Sequence, residues 1–125
     1  MPHFHLEYSA NLETVVDMGQ LCEDIRATAA AIDTFPVAGI RVRATCVDHF
    51  AMADGDTKHG FIDLSIRLRE GRPSDVKAAA LAQIFDVLKS KLAPVMATHS
   101  IALSAEMRDI SAEFSLKCGT IRDHL

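Results

Sequence analysis

Twice in this chain a strict two-residue alternation is followed by a spacing of three and four, and few folds satisfy that pattern. Phe4, Leu6 and Tyr8 alternate with His3, His5 and Glu7. Ile62, Leu64, Ile66 and Leu68 alternate with Asp63, Ser65, Arg67 and Arg69. Each run predicts a strand with one face buried. Behind the first come Val15, Met18, Cys22, Ile25, Ala29 and Ile32, and behind the second Leu81, Ile84, Leu88, Leu92 and Val95. These spacings predict amphipathic helices. Ser9 or Asn11 is the expected N-cap of the first helix, and Ser74, after Gly71-Arg72-Pro73, that of the second. Phe35-Pro36 ends the first helix, because proline disfavours helical geometry in the residue before it. A further strand then closes each half: Gly39 to Val47, and Ala102 to Arg108 with Leu103, Ala105 and Met107 on one face. Ala53-Asp54-Gly55-Asp56 marks the turn between the halves.

The expected fold is therefore α+β: a duplicated β-α-β in a four-stranded mixed sheet, with two helices on one face. Residues 1–125 read as a single domain with halves at about 2–50 and 60–110 and a C-terminal tail. Each β-α-β unit should pair its strands in parallel through a right-handed crossover. Two helices cover only one face of such a sheet. The other, with its Arg, Ser, Thr, Asp and His, is either solvated or packed against other subunits.

Bulk properties remove several function classes. A net charge of −4 argues against a nucleic-acid surface. No apolar run approaches the ~18 residues of a membrane span, and no signal peptide is visible. Cys22, Cys46 and Cys118 fit neither a disulfide framework nor a zinc pattern, so a reducing, cytoplasmic setting is expected. His3 and His5 share a strand face but have no third ligand nearby, and read as sheet-face residues, so no metal is expected. There is no HExxH, nucleophile elbow or phosphate loop.

Pro2 stands apart. If Met1 is removed, Pro2 becomes a free secondary amine fixed at the start of a strand, which is either a catalytic base or an accident of the start. Taken with the rest of the chain it carries more weight. A Pro-first strand, the duplicated β-α-β, Phe35-Pro36-Val37-Ala38-Gly39-Ile40-Arg41, Val47-Asp48-His49-Phe50-Ala51-Met52-Ala53-Asp54-Gly55 and Gly71-Arg72 together resemble the tautomerase superfamily. Within it they are similar to the 5-carboxymethyl-2-hydroxymuconate isomerases, over Pro2 to about Phe114. The resemblance implies a homotrimer with inward-facing sheets and a keto-enol isomerase of aromatic catabolism, working on a homoprotocatechuate ring-cleavage product without metal or organic cofactor. It implies that Pro2 is the general acid/base and that Arg41 and Arg72 bind carboxylates of a small di- or tricarboxylate. It also places Phe50 in the apolar wall of the site.

The chemistry suits those residue types. Moving a proton from an enol oxygen to a distant carbon needs one base with a pKa near the working pH. An α-amino group ordinarily sits at about 7.7–8.0, and burial and nearby cations lower it. Guanidinium groups supply those cations and also bind carboxylates bidentately. Arg43, Arg67 and Arg69 read as structural or salt-bridging residues. Two rivals stay open: a proline-based tautomerase for a plain 2-hydroxymuconate or a phenylpyruvate enol, and a non-catalytic small-molecule-binding module with no use for a free amine.

Overall fold

The computed structural model describes all 125 residues. Four strands, β1 (His3–Ser9), β2 (Arg41–Val47), β3 (His59–Arg69) and β4 (Ser100–Ile110), form one sheet in the order β2-β1-β3-β4. β1 pairs β2 in parallel and β3 pairs β4 in parallel, while β1 and β3 meet antiparallel at the centre. The crossovers are α1 (Met18–Ala30) and α2 (Ser74–Met96). This is the expected duplicated β-α-β, with the two halves joined through their first strands.

Both helices lie on the face that receives Phe4, Leu6 and Tyr8 from β1 and Ile62, Leu64, Ile66 and Leu68 from β3. α1 buries Met18, Leu21, Ile25 and Ala29 there, and α2 buries Ala80, Ile84, Leu88 and Leu92. Leu21 takes the buried place that the helical spacing assigned to Cys22, which is only half-buried. Phe35 is driven into this core by the chain reversal at Pro36 and meets the Phe4 ring edge-on at 5.1 Å between centroids. The opposite face is open. Its rows include Arg41-His3-Arg67-Arg108 and Thr45-Glu7-Asp63-Ser104, read across the strands in order.

The helix starts differ from expectation. α1 is capped by Asp17, whose carboxylate accepts from the Gln20 N–H at 3.0 Å, and Val15 lies before the helix. Pro73 takes the cap position of α2, and Ser74 is its first helical residue. Ser9 and Asn11 are used otherwise, because a short 3-10 turn at Ala10–Leu12 brings them against the start of β3. Fully buried Ser9 accepts the Phe61 N–H on its Oγ at 2.9 Å. The Asn11 amide donates to the His59 carbonyl at 2.8 Å. Strands β3 and β4 both begin earlier than the alternation suggested, at His59 and Ser100, and their first residues are joined by a 2.7 Å hydrogen bond between His59 Nδ1 and Ser100 Oγ. The other ring nitrogen of His59 meets Asp54 at 2.9 Å, pinning the turn in which Ala53 adopts a φ of 47°.

Ser9 yields a direct test. Replacing it with Ala removes the acceptor of the Phe61 N–H, and a buried amide left unpaired costs about 1–3 kcal/mol. The Ser9→Ala protein should unfold at lower urea with an unchanged slope at matched protein concentration. An unshifted midpoint would show that the amide finds another partner.

Candidate active site

The topology gathers one set of chain ends at one edge of the sheet. β1 and β2 both start there, and β3 and β4 both finish there. Pro2 occupies the centre of that edge and is buried. Its carbonyl accepts the Arg41 N–H at 3.1 Å, which continues the β1–β2 ladder past His3. Its ring rests on Gly39. A Cβ at position 39 would lie 2.8 Å from Pro2 Cδ and 3.1 Å from Met1 Cα. Glycine is required there for close approach, and its φ is not in the left-handed region.

Arg41 and Arg72 both reach this edge. Arg41, beside His3 at the first position of β2, is braced by its Nη1 donating to the Gly39 carbonyl at 3.0 Å. Arg72 follows the end of β3 through Gly71, whose φ is 109°. Its Nε donates to the Thr34 carbonyl at 3.1 Å and its Nη1 to the Arg69 carbonyl at 3.0 Å. Each guanidinium is thus oriented by backbone carbonyls while further N–H donors remain to meet an anion.

The electrostatics of this edge differ from those of the rest of the chain. Arg26, Lys58, Lys77, Lys89, Lys91 and Arg108 are in ion pairs with carboxylates. The remaining cations are Arg41, Arg43, Arg67, Arg69, Arg72, Lys117 and Arg122. Arg41 and Arg67 flank His3, Arg43 lies 3.4 Å from its ring, and Arg69 and Arg72 follow on from Arg67. His3 is held below its ordinary pKa by burial and then by Arg67, Arg43 and Arg41, which keeps it neutral at pH 7. The α-amine, here that of Met1, is lowered from its ordinary 8.0 first by burial, then by Lys117, Arg72, Arg41 and Arg69 in that order. A cavity of about 490 Å³ opens beside it, lined by Met1, Gly39, Arg41, Lys117, Cys118 and Arg122 among others.

Phe50 is not part of this cluster. It follows the far end of β2 and stacks edge-on against Phe61 at 6.0 Å between ring centroids. Phe61 lies one step beyond the last β1–β3 pair, Tyr8 with Ile62. The seven residues of β1, at ~3.3 Å each, separate Phe50 from Pro2 by roughly 20 Å within one chain. His3 and His5 also serve the open face, bonding to Arg43 and Thr45.

Sequence reasoning missed the C-terminal segment. β4 extends to Ile110 rather than stopping at Arg108, and the chain beyond it doubles back over the Pro2 edge. The Ala112 N–H donates to the Glu70 carboxylate at 2.7 Å, tying the segment to the loop that carries Arg72. Lys117 and Arg122 have no periodic neighbours to mark them in sequence. Gly39 did carry a signal, in the Ala38-Gly39-Ile40-Arg41 stretch, though its packing role did not.

Comparison with known proteins fits this geometry. The model of the family described as CHMI, 5-carboxymethyl-2-hydroxymuconate isomerase, matches residues 2–125. The chain belongs to the 5-carboxymethyl-2-hydroxymuconate isomerase family. A 5-carboxymethyl-2-hydroxymuconate Delta-isomerase of Escherichia coli is 32% identical over 117 residues, covering 94% of this chain and 93% of that one. The crystal structure of a family member from Deinococcus radiodurans R1 superposes with a TM-score of 0.91 at 31% identity, covering 98% of this chain and 92% of the other. A fused 4-OT, solved as a symmetric trimer, shares the fold at a TM-score of 0.59 and 14% identity, over 87% of this chain and 85% of that one. Membership makes this chain an isomerase with the tautomerase fold.

The contact between Gly39 and Pro2 predicts a separation of activity from stability. Gly39→Ala must push the Pro2 ring away, and if that ring carries the reacting amine a displacement near 1 Å costs about 10²-fold. Isomerase kcat/KM should fall by about that factor while the thermal midpoint moves little. Unchanged kinetics would show that the ring's position does not matter to the reaction.

Proposed function

We propose that this chain converts 5-carboxymethyl-2-hydroxymuconate to its 2-oxo isomer, in the breakdown of homoprotocatechuate, using the Pro2 amine as general acid/base once Met1 is removed. The observation that carries this reading is the gathering of unpaired cations around a buried chain start, in a protein whose net charge is −4. An acidic protein needs such a local positive field to draw in a poly-anion. The family match supports the choice of substrate.

In this scheme the neutral amine takes the proton of the 2-hydroxyl group. Electron density shifts through the conjugated system, and the resulting ammonium returns the proton to the carbon at its far end. One proton leaves oxygen, one arrives on carbon, and the amine is regenerated. Arg41, whose backbone N–H bonds the Pro2 carbonyl, stabilises the developing dienolate at the 2-oxo end and its neighbouring carboxylate. Arg72 binds a second carboxylate. Both guanidinium groups are already oriented by carbonyls, so little reorganisation accompanies binding. The three cysteines are free, which suits a reducing cytoplasm.

The amine's environment sets the pH dependence. Burial and cations lower the pKa of an amine at the chain start, so kcat/KM should fall as pH drops through a limb that lies below the ordinary pKa of an N-terminal proline, where the base becomes protonated. An uncleavable N-terminal extension turns the amine into an amide. The extended protein should lose activity by at least the 10²–10³-fold typical of removing a general base, and the limb should vanish with it. An extended protein, confirmed intact by mass, that works at the processed protein's rate would sink the proposal.

Assembly belongs to the same reading. The open sheet face has no cover within the chain, and Phe114, Leu116 and Leu125 project 83%, 98% and 76% exposed. Apolar side chains so presented are usual where another chain packs, and the fused 4-OT of this fold is a trimer. A homotrimer covers both features and lets a neighbouring copy bring its Phe50 to the apolar wall that one chain leaves empty. Light scattering should return three times the 13.6 kDa chain mass, and a monomer at micromolar concentration would refute this assembly.

A further inference from the structure

We propose that the segment after β4 selects the substrate, with Lys117 and Arg122 receiving a third carboxylate that Arg41 and Arg72 cannot reach. The inference rests on the proposed reaction and adds to it the origin of specificity. 5-Carboxymethyl-2-hydroxymuconate carries three carboxylates, whereas a plain 2-hydroxymuconate carries two. Arg41 and Arg72 are each tied to backbone carbonyls at fixed places, Gly39 for one and Thr34 and Arg69 for the other. Two rigid forks match two carboxylates. A third anion carried into the cavity without a cation would lose hydration for nothing in return.

The needed cations are present in the cavity that Arg41 lines. Lys117 and Arg122 line it together with Met1 and Arg41. Neither has a carboxylate partner, unlike most cations elsewhere in the chain. Asp123 is the one carboxylate in that wall, and with Arg41, Lys117 and Arg122 opposite it the wall stays net positive. Lys117 is also the strongest charged influence on the α-amine, ahead of Arg72 and Arg41, which places it within electrostatic reach of the reacting group.

The segment is positioned rather than merely near. The Ala112–Glu70 bond anchors its start to the Arg72 loop, and the Glu70 N–H donates to the Ile110 carbonyl at 3.1 Å. Farther along, the Asp123 N–H closes a turn on the Thr120 carbonyl at 2.9 Å, within the 3-10 turn Ile121–His124. Arg122 stands in that turn and Lys117 precedes it. The arrangement sets two exposed cationic heads on a braced loop, where a carboxymethyl arm can meet them.

The test compares two substrates in one protein. In the processed enzyme, the Lys117→Gln/Arg122→Gln double variant should lower the ratio of kcat/KM for 5-carboxymethyl-2-hydroxymuconate over 2-hydroxymuconate by at least about tenfold, mostly through KM. Taking the ratio cancels any change in the amine's pKa, since both substrates meet the same base. Both side chains are exposed in the single chain, and light scattering of the double variant at the wild-type mass would show that fold and assembly are kept. A ratio within twofold of wild type overturns the inference while leaving the proposed reaction standing. Wild-type inactivity on both substrates would instead defeat the proposed reaction. In that event calorimetry with propane-1,2,3-tricarboxylate and glutarate decides the point. Tighter binding of the tricarboxylate that disappears in the double variant supports selection by this segment, and equal affinities in the wild type refute it.

Discussion

The antiparallel pairing of β1 with β3 is the contact on which the rest of the structure depends. Each half alone is a β-α-β unit whose two strands run the same way, and either half could add its strands to a sheet in several orders. Pairing His3 with Arg67 and Tyr8 with Ile62 sets the direction of the second half against the first. It follows that the start of β1, the start of β2, the end of β3 and the end of β4 share one edge. Pro2, Arg41, Arg72 and the final segment meet there because of strand direction, although they are far apart in the chain. The hydrophobic side of the pairing is what makes it specific. Phe4 faces Ile66 and Leu6 faces Leu64, and a one-residue slip of either strand would turn that strand's pair toward the open face.

That edge is electrostatically uphill. Cations from β1's neighbours, the Arg72 loop and the last segment repel one another, and none has a carboxylate to relieve the strain. Elsewhere the chain disposes of its positive charge in exposed ion pairs, which contribute little to stability. The unpaired set gains its value only when an anion arrives, and until then its field acts on the two titratable groups it surrounds, the α-amine and His3. Burial and cations push that amine the same way, toward the neutral form that can accept a proton. In the proposed reaction a single arrangement would both prepare the base and bind the substrate, a use for which guanidinium groups braced on carbonyls suit better than groups neutralised by acids.

The two faces of the sheet divide the labour. The helix-covered face holds nearly all the fully buried side chains and supplies the cohesion. The open face carries short polar networks, such as Ser104 to Asp63 at 2.6 Å and His5 to Thr45 at 2.9 Å, and contributes side chains rather than a core. At the far edge the Asp54–His59–Ser100 chain of hydrogen bonds holds the beginnings of β3 and β4 together, remote from Pro2. Separation of a rigid clamp at one edge from a charged cavity at the other lets the cavity be built from chain ends and loops without weakening the sheet.

Local pattern determined the elements. Alternation along Phe4–Tyr8 and Ile62–Leu68, and the three-and-four spacing behind each, name two strands, two helices and their buried sides, because those periods follow from backbone geometry alone. Arg41 and Arg72 were legible as site candidates through the short stretches that contain them. What pattern does not encode is anything that depends on meeting a distant partner. Asp17 caps α1 while Ser9 and Asn11 bond to the start of β3, a distant contact that no local rule reveals. Gly39 is glycine because a proline ring from another strand lies on it. Phe50 stands beside stretches that point to the site, yet the direction of β2 carries it to the opposite edge. Lys117 and Arg122 sit in a segment without periodicity and acquire a place only when β4 ends beside β1. The sequence determined which faces would be buried, since burial follows composition along each element. Only the tertiary structure decided which ends would meet, since that depends on strand direction and register, which are settled between elements and not within them.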